Sequence, residues 1–73
     1  MEGLRLIRIT TYKNGNLWND KLYLEDRQDK AIERFKKANP EYSKYIIVAE
    51  DFDVSDPANT ELFKAYIRTD NFF

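Results

Sequence analysis

Acidic side chains crowd positions 50–56, directly after an apolar run. Carboxylate oxygens are ligands that Ca²⁺ prefers, and Asp51, Asp53 and Ser55 occupy the first, third and fifth positions of a calcium-binding loop pattern. The sixth position holds Asp56, where the sharp bend requires glycine, and the twelfth holds leucine instead of a bidentate glutamate. The sequence therefore predicts no metal site here, and no other part of the chain predicts a cofactor.

Two other roles are open for this acidic stretch. Asp53 and Asp56 suit a solvated turn, because Asp side chains accept hydrogen bonds from nearby backbone amides. The stretch also suits a basic protein partner, since interface energy concentrates on aromatic residues while charge sets orientation and association rate. Phe52, which lies between two acids, is either the aromatic anchor or a core residue. We predict a partner-binding edge made of Asp51, Phe52, Asp53 and Asp56.

A second candidate site is a face of a predicted β-sheet on which aromatic and basic side chains alternate. Its members are Arg8, Tyr12, Lys21, Tyr23, Tyr66 and Arg68. Tyr and Arg are enriched in protein interfaces, and the same pattern suits single-stranded nucleic acid, whose bases stack on aromatic rings. A sequence pI of about 5.3 disfavours nucleic acid, because affinity there depends on neutralising phosphates. The sequence therefore favours a protein partner for this face.

The side chains that most enzymes use for catalysis are missing from the sequence. It contains no His and no Cys, which supply the commonest general base near neutral pH and the commonest thiol nucleophile. Ser43 and Ser55 do not lie in a nucleophile-elbow motif, and Gly3 and Gly15 form no phosphate-binding loop. We therefore predict a protein without enzymatic activity.

Two strands joined by a tight turn are predicted over residues 4–26. β-branched and aromatic residues are frequent in both halves, and Asn14 and Gly15 at the centre tolerate the positive φ of a type I′ turn. In the first strand the apolar residues change parity between Leu6 and Ile7. This change predicts a switch of face or a β-bulge near Leu6.

A helix and a third strand are predicted next. Apolar residues within 26–40 follow helical spacing, Asp26 is the expected N-cap, and the Asn-Pro pair at the end stops the helix. The third strand covers residues 45–49. Its continuous apolar character favours a central position in the sheet, with both faces at least partly covered.

The last segment carries two competing patterns. Apolar residues from Phe63 onward alternate as in a strand, whereas Leu62 and Ala65 keep helical spacing. We predict a short turn at residues 57–60 and then a fourth strand over residues 61–69.

These elements combine into one α+β domain over residues 1–73 with the element order ββαββ. An antiparallel-rich sheet of strand order 2-1-3-4 satisfies a right-handed crossover through the helix. The single helix packs on one face of the sheet. The other face is then solvated, covered by a partner, or closed by the segment 70–73.

The composition of the chain indicates its class and location. Its 73 residues, 42% hydrophobic content and net charge of −1 suit one folded domain. The absence of Cys suits a reducing compartment. The sequence shows no signal peptide and no apolar run of membrane length, so we predict a cytoplasmic protein with no membrane contact.

A compact chain without cofactor motifs is similar to the accessory proteins that bacteriophages and mobile elements use to block host proteins, anti-CRISPR inhibitors among them. This likeness concerns size and composition, and it implies an inhibitory protein-binding module. Two alternatives stay open. The first is a binder of single-stranded nucleic acid that uses the aromatic and basic face, and the second is a self-associating structural domain such as a homodimer.

Overall fold

The computed structural model describes residues 5–73. Within that range the chain forms a small α+β domain with a three-stranded antiparallel sheet and two α-helices. The elements are β1 (Leu6–Lys13), β2 (Asn16–Leu24), α1 (Gln28–Ala38), β3 (Ile46–Phe52) and α2 (Thr60–Arg68), with 3-10 turns at Tyr42–Lys44 and Pro57–Asn59. The predicted fold class is confirmed, whereas the predicted ββαββ order is wrong in its last element.

The hairpin of β1 and β2 forms around the predicted turn. Asn14 and Gly15 have φ values of 54° and 81°, the left-handed conformation that a type I′ turn requires. The β-bulge lies elsewhere than predicted, because the register shifts between Thr11 and Tyr12 and leaves Trp18 as the extra residue. Leu4, which the sequence assigns to this hairpin, lies outside the described residues.

The sheet has the order β2-β1-β3, and β1 is antiparallel to both neighbours. One side of the sheet, here called the α1 face, is covered by α1. There Phe35 and Ala31 of the helix pack on Ile7, Ile9 and Tyr23. The two apolar odd-numbered residues of β1, Ile7 and Ile9, therefore lie in this cluster beneath α1.

The opposite side of the sheet, here called the α2 face, is covered in part by the second helix. Tyr66 packs there with Leu6, Leu22 and Phe52. Leu6 and Ile7 are both buried because each face has its own helix, which is why the predicted bulge near Leu6 is not needed. The prediction of a single helix on a single face is thus wrong.

The segment predicted as a fourth strand is helical for a packing reason. Leu62, Phe63 and Tyr66 follow the i, i+1, i+4 spacing, so a helix places all three on the side that contacts the sheet. Without a fourth strand the observed order ends at β3, which is an edge strand and not the predicted central one.

The end of α1 and the turn before α2 follow the sequence signals, but the predicted N-cap of α1 is wrong. The N-cap of α1 is Arg27 and has no side-chain cap hydrogen bond, whereas the predicted cap, Asp26, forms an ion pair with Lys30 at 3.4 Å. Pro57 opens the predicted turn before α2, and Asp56 caps that turn. Neither helix within residues 5–73 is long and apolar enough to cross a membrane.

Candidate functional site

The predicted face of alternating aromatic and basic side chains is not formed. Arg8 pairs with Leu22 in the register, so Leu22 shares its face while Lys21 and Tyr23 lie on the other side of the sheet. Tyr66 is a buried residue of α2, and Arg68 is exposed at the end of that helix. Two differences explain this: residues 61–69 form a helix where a strand is predicted, and the extra residue Trp18 shifts the register of β2 by one, which moves Lys21 and Tyr23 to the other face.

Two members of that predicted face stabilise the packing on the α1 face. Tyr23 is buried, stacks on Phe73 at 5.4 Å between ring centroids, and lies beneath the Arg34 guanidinium at 5.1 Å. Lys21 lies over the same Phe73 ring at 5.0 Å. Burial raises the pKa of Tyr23, and Arg34 opposes that rise. Tyr23 is therefore a core residue and offers no exposed ring to a ligand.

A polar network on the α2 face joins α2 to the sheet. Asp20 accepts hydrogen bonds from the Arg8 Nε and Nη2 atoms at 3.2 and 2.9 Å, and from the Tyr66 hydroxyl at 2.7 Å. Arg8 also lies 3.6 Å from a Glu50 carboxylate oxygen. The Asp20 hydrogen bond raises the pKa of Arg8 further, so the guanidinium stays charged. Sequence reasoning missed Asp20, although its place in an otherwise apolar row of β2 was a usable signal.

The network makes the stability of the protein fall at alkaline pH. Burial, and then the hydrogen bond to Asp20, raise the pKa of Tyr66 above its ordinary value of about 10. The folded state therefore holds the phenol proton more tightly than the unfolded state, and this stabilisation is complete below pH 10 or so and lost as the pH rises further. At neutral pH we expect Tyr66→Phe to have a lower free energy of unfolding than the parent protein. Above about pH 10 the free energy of the variant should fall less steeply than that of the parent. Urea denaturation at several pH values measures both slopes, and parallel curves would contradict the assignment.

The acidic stretch forms a local turn, as one of its two predicted roles required. Asp53 accepts hydrogen bonds from the Ser55 amide at 2.9 Å and the Ser55 hydroxyl at 2.6 Å. Asp56 accepts one from the amide of Ala58 at 3.0 Å. Within residues 5–73, no group of three or more acidic side chains is arranged to hold a metal ion. The side chains of Asp53 and Asp56 remain exposed beyond their capping bonds.

The other two members of the predicted acidic edge differ in burial. Phe52 is buried on the α2 face, with its ring edge-on to Tyr66 at 5.9 Å between ring centroids. Of the two roles considered for Phe52, it therefore has that of a core residue and is not an exposed anchor. Asp51 is exposed, and among the described residues its carboxylate accepts one long hydrogen bond, of 3.4 Å, from the Gln28 side-chain amide. The edge therefore presents Asp51, Asp53 and Asp56 without an aromatic side chain.

An exposed apolar strip lies on the half of the α2 face that α2 does not cover. Tyr12 pairs with Leu17 on one side and Ile46 on the other, and Val48 lies one pleat further along β3. Leu17, Ile46 and Val48 are 63%, 65% and 42% exposed, and Tyr12 is half-buried. We call these four residues the apolar strip. Sequence reasoning missed its exposure because the apolar run of β3 was interpreted as a central strand.

No family model, curated protein or solved structure matches this chain. The chemistry of its own surface therefore has to carry the functional assignment. Of the two sites predicted from the sequence, one is dispersed over both faces of the sheet and the other survives as an acidic strand end. The apolar strip is the additional feature that the fold creates.

Proposed function

We propose that this chain is a non-catalytic module that binds another protein through the apolar strip. The carrying observation is the exposure of Ile46, Val48 and Leu17 together on one sheet face. A cluster of exposed apolar side chains often marks a binding site, because covering it with a partner stabilises the complex by roughly 25 cal/mol per Å² buried. The half-buried Tyr12 within the strip supports an interface, since Tyr is enriched there.

The composition supports the remaining parts of the proposal. The sequence has no His and no Cys, which supports a binding function over catalysis. The absence of Cys also fits a reducing compartment such as the cytoplasm. A module of this kind acts by occupying a surface of its partner, and inhibition of a host protein, as by the accessory proteins of phages and mobile elements, is the form of action we propose.

The two alternative functions have weaker support. Stacking of single-stranded bases requires exposed rings, and two of the three Tyr residues proposed for it, Tyr23 and Tyr66, are buried. Self-association would use the same apolar strip, so it differs from the proposal only in the identity of the partner. Sedimentation velocity over a range of concentrations distinguishes a homodimer from a monomer that binds a different protein.

The test of the apolar strip is a capture experiment with a matched control. The double variant Ile46→Ser/Val48→Ser removes two exposed apolar side chains of the strip, and Ile67→Ser removes one on α2 that is 50% exposed. We expect the parent and Ile67→Ser to recover the same protein from a native lysate and the double variant to recover at least about tenfold less of it, a difference of about 1.4 kcal/mol in binding. Quantitative mass spectrometry of the recovered proteins measures this.

Circular dichroism and thermal melting establish that the variants are folded. Because the replaced side chains are exposed, we expect the double variant to keep the parent spectrum and to melt within a few degrees of the parent. Equal recovery of the partner by the parent and the double variant would overturn the role of the strip. Loss of recovery by Ile67→Ser as well would show that the capture depends on general surface apolarity.

A further inference from the structure

The segment 71–73 shows in which direction the backbone groups of β2 point. The amides of Leu22 and Leu24 donate to the carbonyls of Asn71 and Phe73 at 2.8 and 2.7 Å. The Leu22 carbonyl accepts from the Phe73 amide at 2.8 Å. These groups therefore point away from β1. Backbone groups alternate in direction along an antiparallel strand, so those of the intervening residues point toward β1.

The same alternation, carried across the sheet, defines the outer edge of β3. Arg8 is opposite Leu22, whose groups point outward, so the backbone groups of Arg8 point toward β3 and its partner Glu50. The alternate positions of β3, among them Ile47 and Ala49, then direct their amides and carbonyls away from the sheet. Within the described part of the chain, no backbone hydrogen bond outside the sheet ladder involves these two residues. The outer edge of β3 is thus open.

The edge at β2 differs because it is obstructed at several points between Trp18 and Leu24. The segment 71–73 pairs with one end, the Asn19 side chain accepts a hydrogen bond from the Asp20 amide at 2.8 Å, and the extra residue Trp18 interrupts the register. Natural proteins use such devices to prevent pairing with other chains. β3 pairs with β1 in continuous register from Ile46 to Phe52 and carries no bulge in that range.

The end of β3 adds a charge preference to the open edge. Asp51 and Asp53 form no ion pair with another described residue, and hydrogen bonds from Ser55 lower the pKa of Asp53. A depression of about 240 Å³ beside them is lined by Arg5, Leu6, Asp51, Phe52 and Asp53. The residues that line it include two carboxylates and one guanidinium, so this end of β3 has a net negative charge and attracts cationic side chains.

We propose that the open edge of β3 accepts an extended segment of the partner protein as an antiparallel fourth strand. Basic residues of that segment lie beside Asp51 and Asp53, and apolar residues follow beside Val48 and Ile46. This inference rests on the protein-binding function proposed above, and it specifies the kind of segment that the partner protein supplies. Antiparallel pairing is the more stable arrangement, main-chain hydrogen bonds supply affinity, and alternate side chains supply specificity.

The probe for this site is the peptide acetyl-Lys-Thr-Lys-Thr-Thr-Val-Thr-Val-amide, whose two Lys lie opposite Asp53 and Asp51 when its two Val lie opposite Val48 and Ile46. It is titrated to millimolar concentration into isotope-labelled full-length protein. We expect amide hydrogen exchange at Ile47 and Ala49 to slow at least about tenfold, because these amides gain partners. The amides of Val48 and Glu50 already bond to β1 and should change less. A peptide with Glu in place of both Lys residues is the control, and it should not bind.

Two variants locate the binding site. Ala49→Pro removes an amide that points outward, so the ladder to β1 is retained while the docking edge is blocked. Asp51→Lys/Asp53→Lys tests the acidic end, and Glu33→Lys/Glu41→Lys makes the same charge change elsewhere. We expect the first two variants to weaken the peptide at least tenfold and the third to bind it nearly as well as the parent. If Ala49→Pro fails to fold, the lysine variants still decide the charge preference.

The outcomes separate this inference from the proposed function. Absence of peptide binding at millimolar concentration, or binding that Ala49→Pro leaves intact, overturns strand addition. In either case the capture experiment with Ile46→Ser/Val48→Ser still decides whether the protein binds a partner at all. Concentration-dependent dimerisation that Ala49→Pro abolishes would assign the edge to a second copy of the chain. Salt-sensitive binding of an oligonucleotide to the edge would assign it to nucleic acid. Either result overturns the proposed occupant.

Discussion

Replacement of Phe35 with Ala is expected to cause the largest loss of stability among the predicted substitutions. Phe35 is fully buried at the centre of the α1 cluster, and truncation of such a ring costs about 3 to 5 kcal/mol through lost burial and the cavity that remains. A chain of this length has a total free energy of unfolding of roughly 4 to 11 kcal/mol. We therefore expect the melting temperature to fall by at least about 12 °C.

Urea denaturation at 25 °C, followed by circular dichroism, measures this loss, and Phe73→Ala is the matched control. The same ring is removed there from an exposed position, where it stacks on Tyr23 and lies beneath Lys21. We expect the control to lose less than half as much free energy of unfolding. Equal losses for the two variants would show that α1 does not cover the sheet as described.

Replacement of Asp20 with Ala is expected to cause the second largest loss. Asp20 accepts hydrogen bonds from Arg8 and from the buried Tyr66 hydroxyl, and its removal leaves both donors without that partner. An unsatisfied buried donor is costly, while Arg8 retains some contact with solvent and with Glu50, so we expect a loss of about 2 kcal/mol. Asp29 is exposed and forms an ion pair with Arg27, so Asp29→Ala is the control and should lower the free energy of unfolding by less than about 1 kcal/mol.

A double-mutant cycle distinguishes a true network from independent contacts. Tyr66→Phe removes only the hydroxyl and should cost about 1 kcal/mol. Because this hydroxyl bonds to Asp20, the double variant Asp20→Ala/Tyr66→Phe should lose less than the sum of the single losses, by roughly 0.5 kcal/mol or more. Additive losses would mean that Asp20 and Tyr66 contribute separately and that the network does not tie α2 to the sheet.

Elements governed by local residues could be predicted from the sequence, and those governed by packing could not. Asn14 and Gly15 determine their turn through backbone conformation, which neighbours do not alter. The last segment depends instead on which side chains find a buried environment. Tyr66 was treated as a polar, exposed residue, and once it is counted as apolar it completes the same helical spacing with Leu62 and Phe63 that identified α1.

The candidate site was predictable in its acidic part and not in its apolar part. The capping bonds of Asp53 and Asp56 span two residues, so the local sequence was sufficient to suggest them. The exposure of Ile46 and Val48 depends on two distant events: α2 replaces a fourth strand, and it covers only one end of the sheet. The spacing of residues within β3 indicates neither event, because a run of apolar residues looks the same in a central strand and in an edge strand.

The unequal edges of the sheet limit how many molecules one copy of the protein can join. A sheet with two free edges can take a strand on each side and polymerise, as stacked chains do in a fibril. Here segment 71–73, the Asn19 side chain and the register irregularity at Trp18 obstruct the β2 side, so strand addition has a valence of one. A titration should then saturate at equimolar stoichiometry and stop there, and at high concentration the protein should form closed pairs with its partner and no filaments.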